Sequence, residues 1–172
     1  RIGGPADLFV LPENEEQLCA AIRLAKEAGV RSYLLGNGSN ILFEDAGYRG
    51  AVINVSAMKS GIGVIENISF PGKDPALTYD AVVVGAGQML SSLCMAALGN
   101  SLTGLEFAYG IPGTVGGAVY MNAGAYGGEM KDVLASVRYL TGEGEIVEAP
   151  AEQLDLRYRH SIFEENGGCI LS

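Results

Sequence analysis

The sequence predicts an α+β fold made of two lobes. The first 55 residues show the pattern of a strand, a helix and two more strands, and a different texture of strands, turns and one helix begins at about residue 57. Apolar residues make up 48% of the 172 residues, which is enough to close a core despite the 25 glycines. We therefore expect lobe 1 to comprise residues 1–56 and lobe 2 to comprise residues 57–172.

Lobe 1 is predicted to contain one well-marked helix between short strands. Residues 6–11 form an apolar run that is typical of a strand. Asn14 then provides an N-cap and Gln17 the matching position of a capping box, and apolar residues follow at every third or fourth position. Gly29 is the expected C′ residue at which this helix ends. Two more strands complete the lobe, at residues 32–35 and 51–55.

Lobe 2 is predicted to contain more strands than helices. Residues 57–81 lack a clear periodicity, and a turn with two prolines interrupts them at residues 71–75. A buried strand at residues 81–84 and a helix at residues 91–99 follow, with Leu98 on the inner face of the helix. The remaining elements are a hairpin and one strand, at residues 133–141, 145–148 and 169–171.

The composition excludes several classes of partner. The 20 acidic and 11 basic side chains give a net charge of −9 without a dense basic run, so we expect no binding to nucleic acid or to anionic membranes. No apolar stretch is long enough for a spanning helix, and no signal-like segment is present. The 3 cysteines are far apart and outside any C-x-x-C pattern, so we expect neither a disulfide nor a bound metal. These features are typical of a cytoplasmic protein.

The first glycine motif directly follows the strand predicted at residues 32–35. Glycine and asparagine readily adopt positive φ, and successive N–H groups in such a turn converge on an anion such as a pyrophosphate. An ordinary hairpin turn is the alternative, although Ser39 and Asn40 add polar donors that such a turn does not need. The candidate residues are Gly36, Asn37, Gly38, Ser39, Asn40 and Ile41.

A second glycine motif, G-A-G-Q-M-L at residues 85–90, lies between a predicted strand and a predicted helix. A dinucleotide-binding fingerprint has glycine at the last of these positions, where the branched side chain of Leu90 blocks close packing of helix on strand. We interpret the motif as a tight strand-to-helix turn.

The third motif, residues 110–128, is the longest. Glycine or alanine occupies ten of its 19 positions, and none of them is charged. Such a stretch either fills a cramped interior or brings its backbone flat against a bound planar molecule. Thr114 and Asn122 are then the polar side chains that can contact that molecule.

The fourth motif, residues 156–163, contains the candidate for chemistry. Arg159 can place a fixed positive charge beside a developing anion, Tyr158 can stack or donate, and Ser161 can orient the arginine. Strand-like alternation places His160 on the opposite face from Arg159, so we expect this histidine to be a solvated neighbour.

Four sequence motifs together carry a resemblance to one family. The sequence resembles the MurB family, the UDP-N-acetylenolpyruvoylglucosamine reductases of bacterial peptidoglycan synthesis. The motifs that carry this resemblance are R-I-G-G-P-A near the start, G-N-G-S-N-I-L, G-I-P-G-T-V-G-G-A-V-Y-M-N-A-G-A-Y-G and Y-R-H-S-I-F. The resemblance implies the two-lobed FAD-binding fold of the vanillyl-alcohol oxidase (PCMH) type, with noncovalent FAD between the lobes and its pyrophosphate at residues 36–41. The other residues expected to contact FAD are Pro112, Gly113, Thr114, Gly116, Gly117, Ala118, Asn122, Ala123, Gly124, Tyr158 and Ile170.

The resemblance also implies a reaction in two half-reactions. NADPH reduces FAD, and the reduced flavin then reduces UDP-N-acetylglucosamine enolpyruvate to UDP-N-acetylmuramate. Arg159 matches the family's catalytic arginine, whose charge stabilises the enolate-like intermediate.

The sequence departs from the family in what it lacks. The family's proton-donating serine, its catalytic glutamate and most of its UDP-sugar contacts belong to a C-terminal substrate domain that these 172 residues do not contain. We therefore expect lobe 1 to lack N-terminal strands, lobe 2 to be truncated, and the chain to hold FAD without completing turnover. Glu164 also stands where many members have a basic residue. Two other functions stay open: a flavoprotein oxidase of the same fold and a non-catalytic flavin-binding module.

Overall fold

Lobe 1 is a three-stranded parallel sheet with one helix. The computed structural model describes residues 3–58, 60–69, 76 and 78–172. The elements of this lobe are β1 (Ala6–Val10), α1 (Glu15–Glu27), β2 (Ser32–Leu35) and β3 (Tyr48–Asn54). The order β1-β3-β2 puts β3 in the middle, where Ala51, Val52 and Ile53 are at most 3% exposed. The strand β3 begins three residues earlier than the sequence predicts, because Tyr48 pairs with Ala6 of β1.

The ends of α1 follow the sequence signals closely. The Asn14 side chain accepts a hydrogen bond from the Gln17 backbone N–H at 2.9 Å, as an N-cap should. The Gln17 side chain reaches back one residue further than a capping box requires, to the N–H of Glu13 at 2.8 Å. Gly29 has φ +64° and ends the helix in the left-handed conformation, as predicted.

Lobe 2 contains several small antiparallel sheets around short helices. Its elements are β4 (Ile62–Ile68), β5 (Tyr79–Val84), α2 (Leu90–Gly99), α3 (Val115–Tyr120), β6 (Gly124–Ala125), β7 (Gly128–Glu129), β8 (Ser136–Leu140), β9 (Ile146–Pro150), α4 (Phe163–Asn166) and β10 (Cys169–Ile170). The pairs β4-β5 and β6-β7 are two-stranded, and the third sheet has the order β10-β8-β9. The predicted hairpin, its central turn and the last strand are all present.

Three predictions for lobe 2 were wrong. Residues 62–68, expected to be irregular, form β4, because this stretch pairs with β5 over most of its length. The strand β5 is only partly buried, with Val83 49% exposed, since the two-stranded sheet leaves one face open. Leu98 is 68% exposed and lies on the outer side of α2. The predicted turn at residues 71–75 lies outside the described residues.

The two lobes pack directly on each other. A small core joins Leu18 and Ile53 of lobe 1 to Leu140, Cys169 and Leu171 of lobe 2. An ion pair across the same boundary joins the Arg138 guanidinium to both oxygens of Glu15, with Nη2 at 2.8 Å from Oε2. The division at residue 56 stays a prediction, but these contacts fix how loops from the two sides meet.

Candidate functional site

A cleft of about 560 Å³ lies where loops from the two lobes face each other. This volume is within the range of about 300–1,000 Å³ that is typical of small-molecule sites. Its walls are residues 36–41, together with Tyr33, Leu35, Ile111, Pro112, Gly113, Thr114, Gly117, Ala118, Tyr120, Met121, Ala123 and Arg159. The structure thus brings the first, third and fourth sequence motifs to one place.

The loop at residues 36–41 supplies backbone donors to the cleft. Gly38 has φ +70°, a conformation that glycine adopts without strain. Within the described residues, the N–H groups of Asn37, Gly38, Ser39 and Asn40 donate no hydrogen bond to another protein atom. These four donors are therefore available to an anion, which an ordinary hairpin turn would not provide.

Two glycines allow the lobes to approach closely at the cleft. A Cβ added to Gly36 would lie 2.6 Å from Oγ1 of Thr114, and one added to Gly113 would lie 2.8 Å from Oγ of Ser39. The Ser39 hydroxyl donates across the boundary to the carbonyl of Pro112 at 3.1 Å. Gly113 also has φ +127°, which side chains rarely adopt. Gly113 is therefore favoured by its backbone conformation, whereas a Cβ at Gly36 would force the Thr114 hydroxyl to shift.

The glycine-rich third motif contains a helix that the sequence did not predict. Thr114 is the N-cap of α3, and its Oγ1 accepts from the N–H of Gly117 at 3.3 Å. Gly116 faces inward, where a Cβ would lie 2.7 Å from Cβ of Ala86 in the turn between β5 and α2. Gly117 and Ala118 face the cleft instead. The small residues of this motif therefore have two roles: Gly116 allows close packing in the interior, and Gly117 and Ala118 allow close approach to a ligand in the cleft.

Five residues expected to contact FAD do not line this cleft. Gly116 and Ile170 line an adjoining cavity of about 90 Å³, which shares Gly36, Thr114 and Gly117 with the cleft. Tyr158 is 80% exposed to solvent. Gly124 lies in β6, where its carbonyl accepts a hydrogen bond from Arg159 Nη2 at 3.3 Å. Asn122 is 1% exposed, and its side chain is fully occupied by protein partners.

Arg159 stands on a tight turn rather than a strand. The backbones of Arg157 and His160 exchange hydrogen bonds of 3.2 and 3.1 Å, and Arg159 between them has φ +54°. The predicted alternation of faces was therefore wrong. The Ser161 hydroxyl donates to the carbonyl of Tyr120 at 2.7 Å and does not orient the arginine. Arg159 itself is exposed at the cleft wall.

His160 is packed among carboxylates and is not a solvated neighbour as expected. Its Nδ1 lies 2.9 Å from Oε2 of Glu164, and its Nε2 lies 3.3 Å from Oδ2 of Asp155. The side chain is 17% exposed and does not line the cleft. The acidic residue at position 164 thus has a local role as the partner of this histidine.

Sequence reasoning missed an ionic group behind Arg159. The carboxylate of Glu129 accepts hydrogen bonds from Lys131 Nζ and Asn122 Nδ2, both at 2.8 Å. The hydrogen bond from Lys131, together with those of Asn122 and the charge of Arg159, lowers the pKa of the Glu129 carboxyl. The group was missed because its link to Arg159, 30 residues away from Glu129, depends on the β6-β7 hairpin and is not visible in the sequence.

Two features are absent from the described part of the chain. No helix in residues 3–58, 60–69, 76 and 78–172 is long and apolar enough to cross a membrane. The same residues contain no cluster of His, Cys, Asp or Glu suited to a metal ion.

The fold and cleft correspond to a known class of cofactor-binding domain. Residues 6–150 match the family model described as FAD binding domain, and the chain belongs to this family. A vanillyl-alcohol oxidase-type flavoprotein from Myceliophthora thermophila superposes with a TM-score of 0.69 at 16% identity, over 87% of this chain and 27% of that one. The predicted α+β FAD-binding fold of this type is therefore confirmed.

More similar relatives are reductases. The chain is 45% identical to UDP-N-acetylenolpyruvoylglucosamine reductase of Agathobacter rectalis, over 100% of this chain and 54% of that protein. It is 46% identical to the protein of the same name from Clostridioides difficile, over 100% of this chain and 52% of that one. The crystal structure of MurB from Thermus caldophilus superposes with a TM-score of 0.72 at 33% identity, over 99% of this chain and 55% of that one. The resemblance to the MurB family is confirmed, and the chain spans about half the length of these relatives.

The residues of the cleft fit FAD. Four unpaired N–H donors lie on one wall, which suits a pyrophosphate in a chain of net charge −9 without a lysine cluster. Gly113, Gly117 and Ala118 add no bulky side chain to the cleft, so a flat ring system can lie against their backbone.

Proposed function

We propose that this chain is the FAD-holding part of a reductase that uses NADPH to convert UDP-N-acetylglucosamine enolpyruvate to UDP-N-acetylmuramate. The observation that carries the proposal is the cleft itself, in which a loop of free N–H donors and the exposed guanidinium of Arg159 lie on the walls of one cavity. The reductases similar to this chain bear the name of this activity.

The chain's own residues divide the work of holding the cofactor. FAD, when bound, supplies two-electron transfer between a nicotinamide and a carbon–carbon double bond. The N–H groups at residues 37–40 hold the negative pyrophosphate, since a backbone nest needs no positive side chain. Small residues at positions 113, 117 and 118 leave the ring system room to lie against the backbone.

Arg159 is the proposed catalytic residue within this chain. Its guanidinium lies at the cleft wall, where it can stabilise the negative charge of the enolate-like intermediate. The Gly124 carbonyl accepts one of its N–H groups and so restricts where the guanidinium points. The proton donor for the reduced carbon belongs to the part of the relatives that this chain does not span. A cytoplasmic location accords with the substrate and reductant proposed.

Two experiments test the function. The purified chain mixed with FAD should show the shifted absorption spectrum of a bound oxidised flavin, whereas Gly113→Ala should bind it more weakly. The full-length protein should oxidise NADPH only when UDP-N-acetylglucosamine enolpyruvate is present, with UDP-N-acetylglucosamine as the matched compound that lacks the double bond. Rapid oxidation of NADPH by oxygen without the enolpyruvyl sugar would instead identify an oxidase of the same fold. FAD binding without either reaction would identify a binding module.

A further inference from the structure

Asn122 lies in the glycine-rich motif, and each polar atom of its side chain has a protein partner. Its Nδ2 donates to Glu129 Oε2 and to the carbonyl of Arg157, both at 2.8 Å, and its Oδ1 accepts from the N–H of Lys131 at 2.9 Å. The first two partners are acceptors and the third is a donor, so only one orientation of the amide satisfies all three. A side chain that is 1% exposed and fully bonded cannot also bind a cofactor.

The contact with Arg157 matters because that residue begins the turn that carries Arg159. The carbonyl of Arg157 accepts from both Asn122 Nδ2 and the N–H of His160. Arg159 within the turn has φ +54°, which is unfavourable for a long side chain and persists only where neighbouring contacts enforce it. The buried amide of Asn122 is such a contact.

Glu129 supports the same turn from a second direction. Its carboxylate fixes the amide of Asn122, and its strand β7 pairs with β6, so that Gly124 lies opposite Glu129. The carbonyl of Gly124 in turn accepts from the guanidinium of Arg159 at 3.3 Å. The backbone of the turn and the tip of the arginine are thus both tied to this hairpin.

We propose that Asn122 and Glu129 are positioning residues that hold the Arg157–His160 turn so that Arg159 faces the cleft. The effect on catalysis rests on the proposed function, whereas the support that Asn122 and Glu129 give to the turn does not. Asn122 then acts on the reaction through Arg159 and makes no contribution to FAD affinity.

The test compares Asn122→Ala and Glu129→Ala with Glu148→Ala in the full-length protein, because a glutamine at position 129 would keep an oxygen that accepts from Asn122. Glu148 is the control, because its carboxylate accepts a side-chain hydrogen bond from Ser136 at 2.7 Å but lies on β9 outside the cleft and makes no hydrogen bond with Asn122. Amide hydrogen exchange at His160 should become faster in the first two variants and stay unchanged in the control. The dissociation constant of FAD should stay within about twofold of wild type, since nothing on the cleft wall is removed.

The kinetic measurement separates the two half-reactions. Reduction of bound flavin by NADPH should be unaffected, whereas reoxidation by the enolpyruvyl sugar should slow by about tenfold to a hundredfold, the effect of a misplaced charged group. Weakened FAD binding with unchanged exchange at His160 would overturn the proposal and restore Asn122 as a cofactor ligand. If Asn122→Ala does not fold, Glu129→Ala carries the same comparison. If wild type fails to reduce the sugar, the proposed function fails, and the exchange and FAD measurements still decide the positioning role.

Discussion

Gly113→Ala tests whether the close approach of the two lobes shapes the cleft. The variant places a side chain at φ +127°, which costs about 1–3 kcal/mol of backbone strain. Its Cβ would also lie 2.8 Å from Oγ of Ser39 and displace that hydroxyl from the Pro112 carbonyl, at a further cost of about 0.5–1.5 kcal/mol. We expect the free energy of unfolding to fall by about 2–4 kcal/mol and Tm by about 5–15 °C in a chain of this size.

Urea denaturation of the purified chain measures the loss, and Gly110→Ala is its matched control. Gly110 lies three residues away in the same motif, but a Cβ there meets no atom within 4 Å and the backbone is not in the left-handed region. Its replacement should leave stability unchanged or raise it by up to about 1 kcal/mol. Equal effects of the two alanines would refute the steric reasoning.

A double-mutant cycle with Ser39→Ala separates the two costs of Gly113→Ala. Removing the Ser39 hydroxyl relieves the contact but not the strained φ, so the second alanine should cost less in the Ser39→Ala background by about 0.5–1.5 kcal/mol. A coupling energy of zero would mean that strain alone explains the loss and that residue 39 does not limit the approach of the lobes.

Three more predictions follow from individual residues. Arg159→Lys in the full-length protein should lower the rate of sugar reduction, measured by stopped-flow absorbance, while FAD affinity stays the same. Lysine lacks the planar fork of arginine, and the loss of one hydrogen bond to a charged group corresponds to a rate decrease of about tenfold or more. The hydrogen bond from Arg138 lowers the pKa of Glu15 below its ordinary 4.5, so this pair stabilises the fold above about pH 4.5 and loses its effect on acidification. Arg138→Gln should therefore cost up to about 1 kcal/mol at pH 7 and progressively less below pH 4.5 in urea titrations, since the pair is partly exposed. Burial raises the pKa of the Cys169 thiol to about 12, so this thiol should react slowly with a maleimide at pH 8. The less buried Cys19 should therefore be labelled first, as peptide mass spectrometry would show.

The elements that could be predicted are those whose signals are local. The caps of α1 at Asn14 and Gly29 are correct because capping depends on residues within one helical turn. The strand β4 was missed because Gly63, Glu66 and Asn67 interrupt its apolar pattern, and pairing with β5 decides its structure instead.

The glycine-rich loops predicted the position of the site better than the polarity of individual side chains did. Residues 36–41 and 112–114 reach the cleft as expected, since glycine and small polar residues mark backbone that approaches a ligand. Asn122 was expected to contact the ligand because of its polarity and the family resemblance, whereas the partners of its side chain lie 7 to 35 residues away in sequence. A buried polar side chain can serve a cofactor or the fold, and only its completed hydrogen bonds distinguish the two.

Several residues near Arg159 have a strained backbone conformation, which indicates that the surrounding structure holds this part of the site in place. Among the described residues, six other than glycine have positive φ, and four of them are Asn122, Tyr126, Asp155 and Arg159. Asparagine and aspartate tolerate this conformation, but tyrosine and arginine do not, so the surrounding contacts must enforce it. A turn held in this way has little freedom to relax when charge develops nearby. In the proposed reaction, a guanidinium held in this way would already be in place when negative charge develops, so that it would stabilise the transition state with little reorganisation.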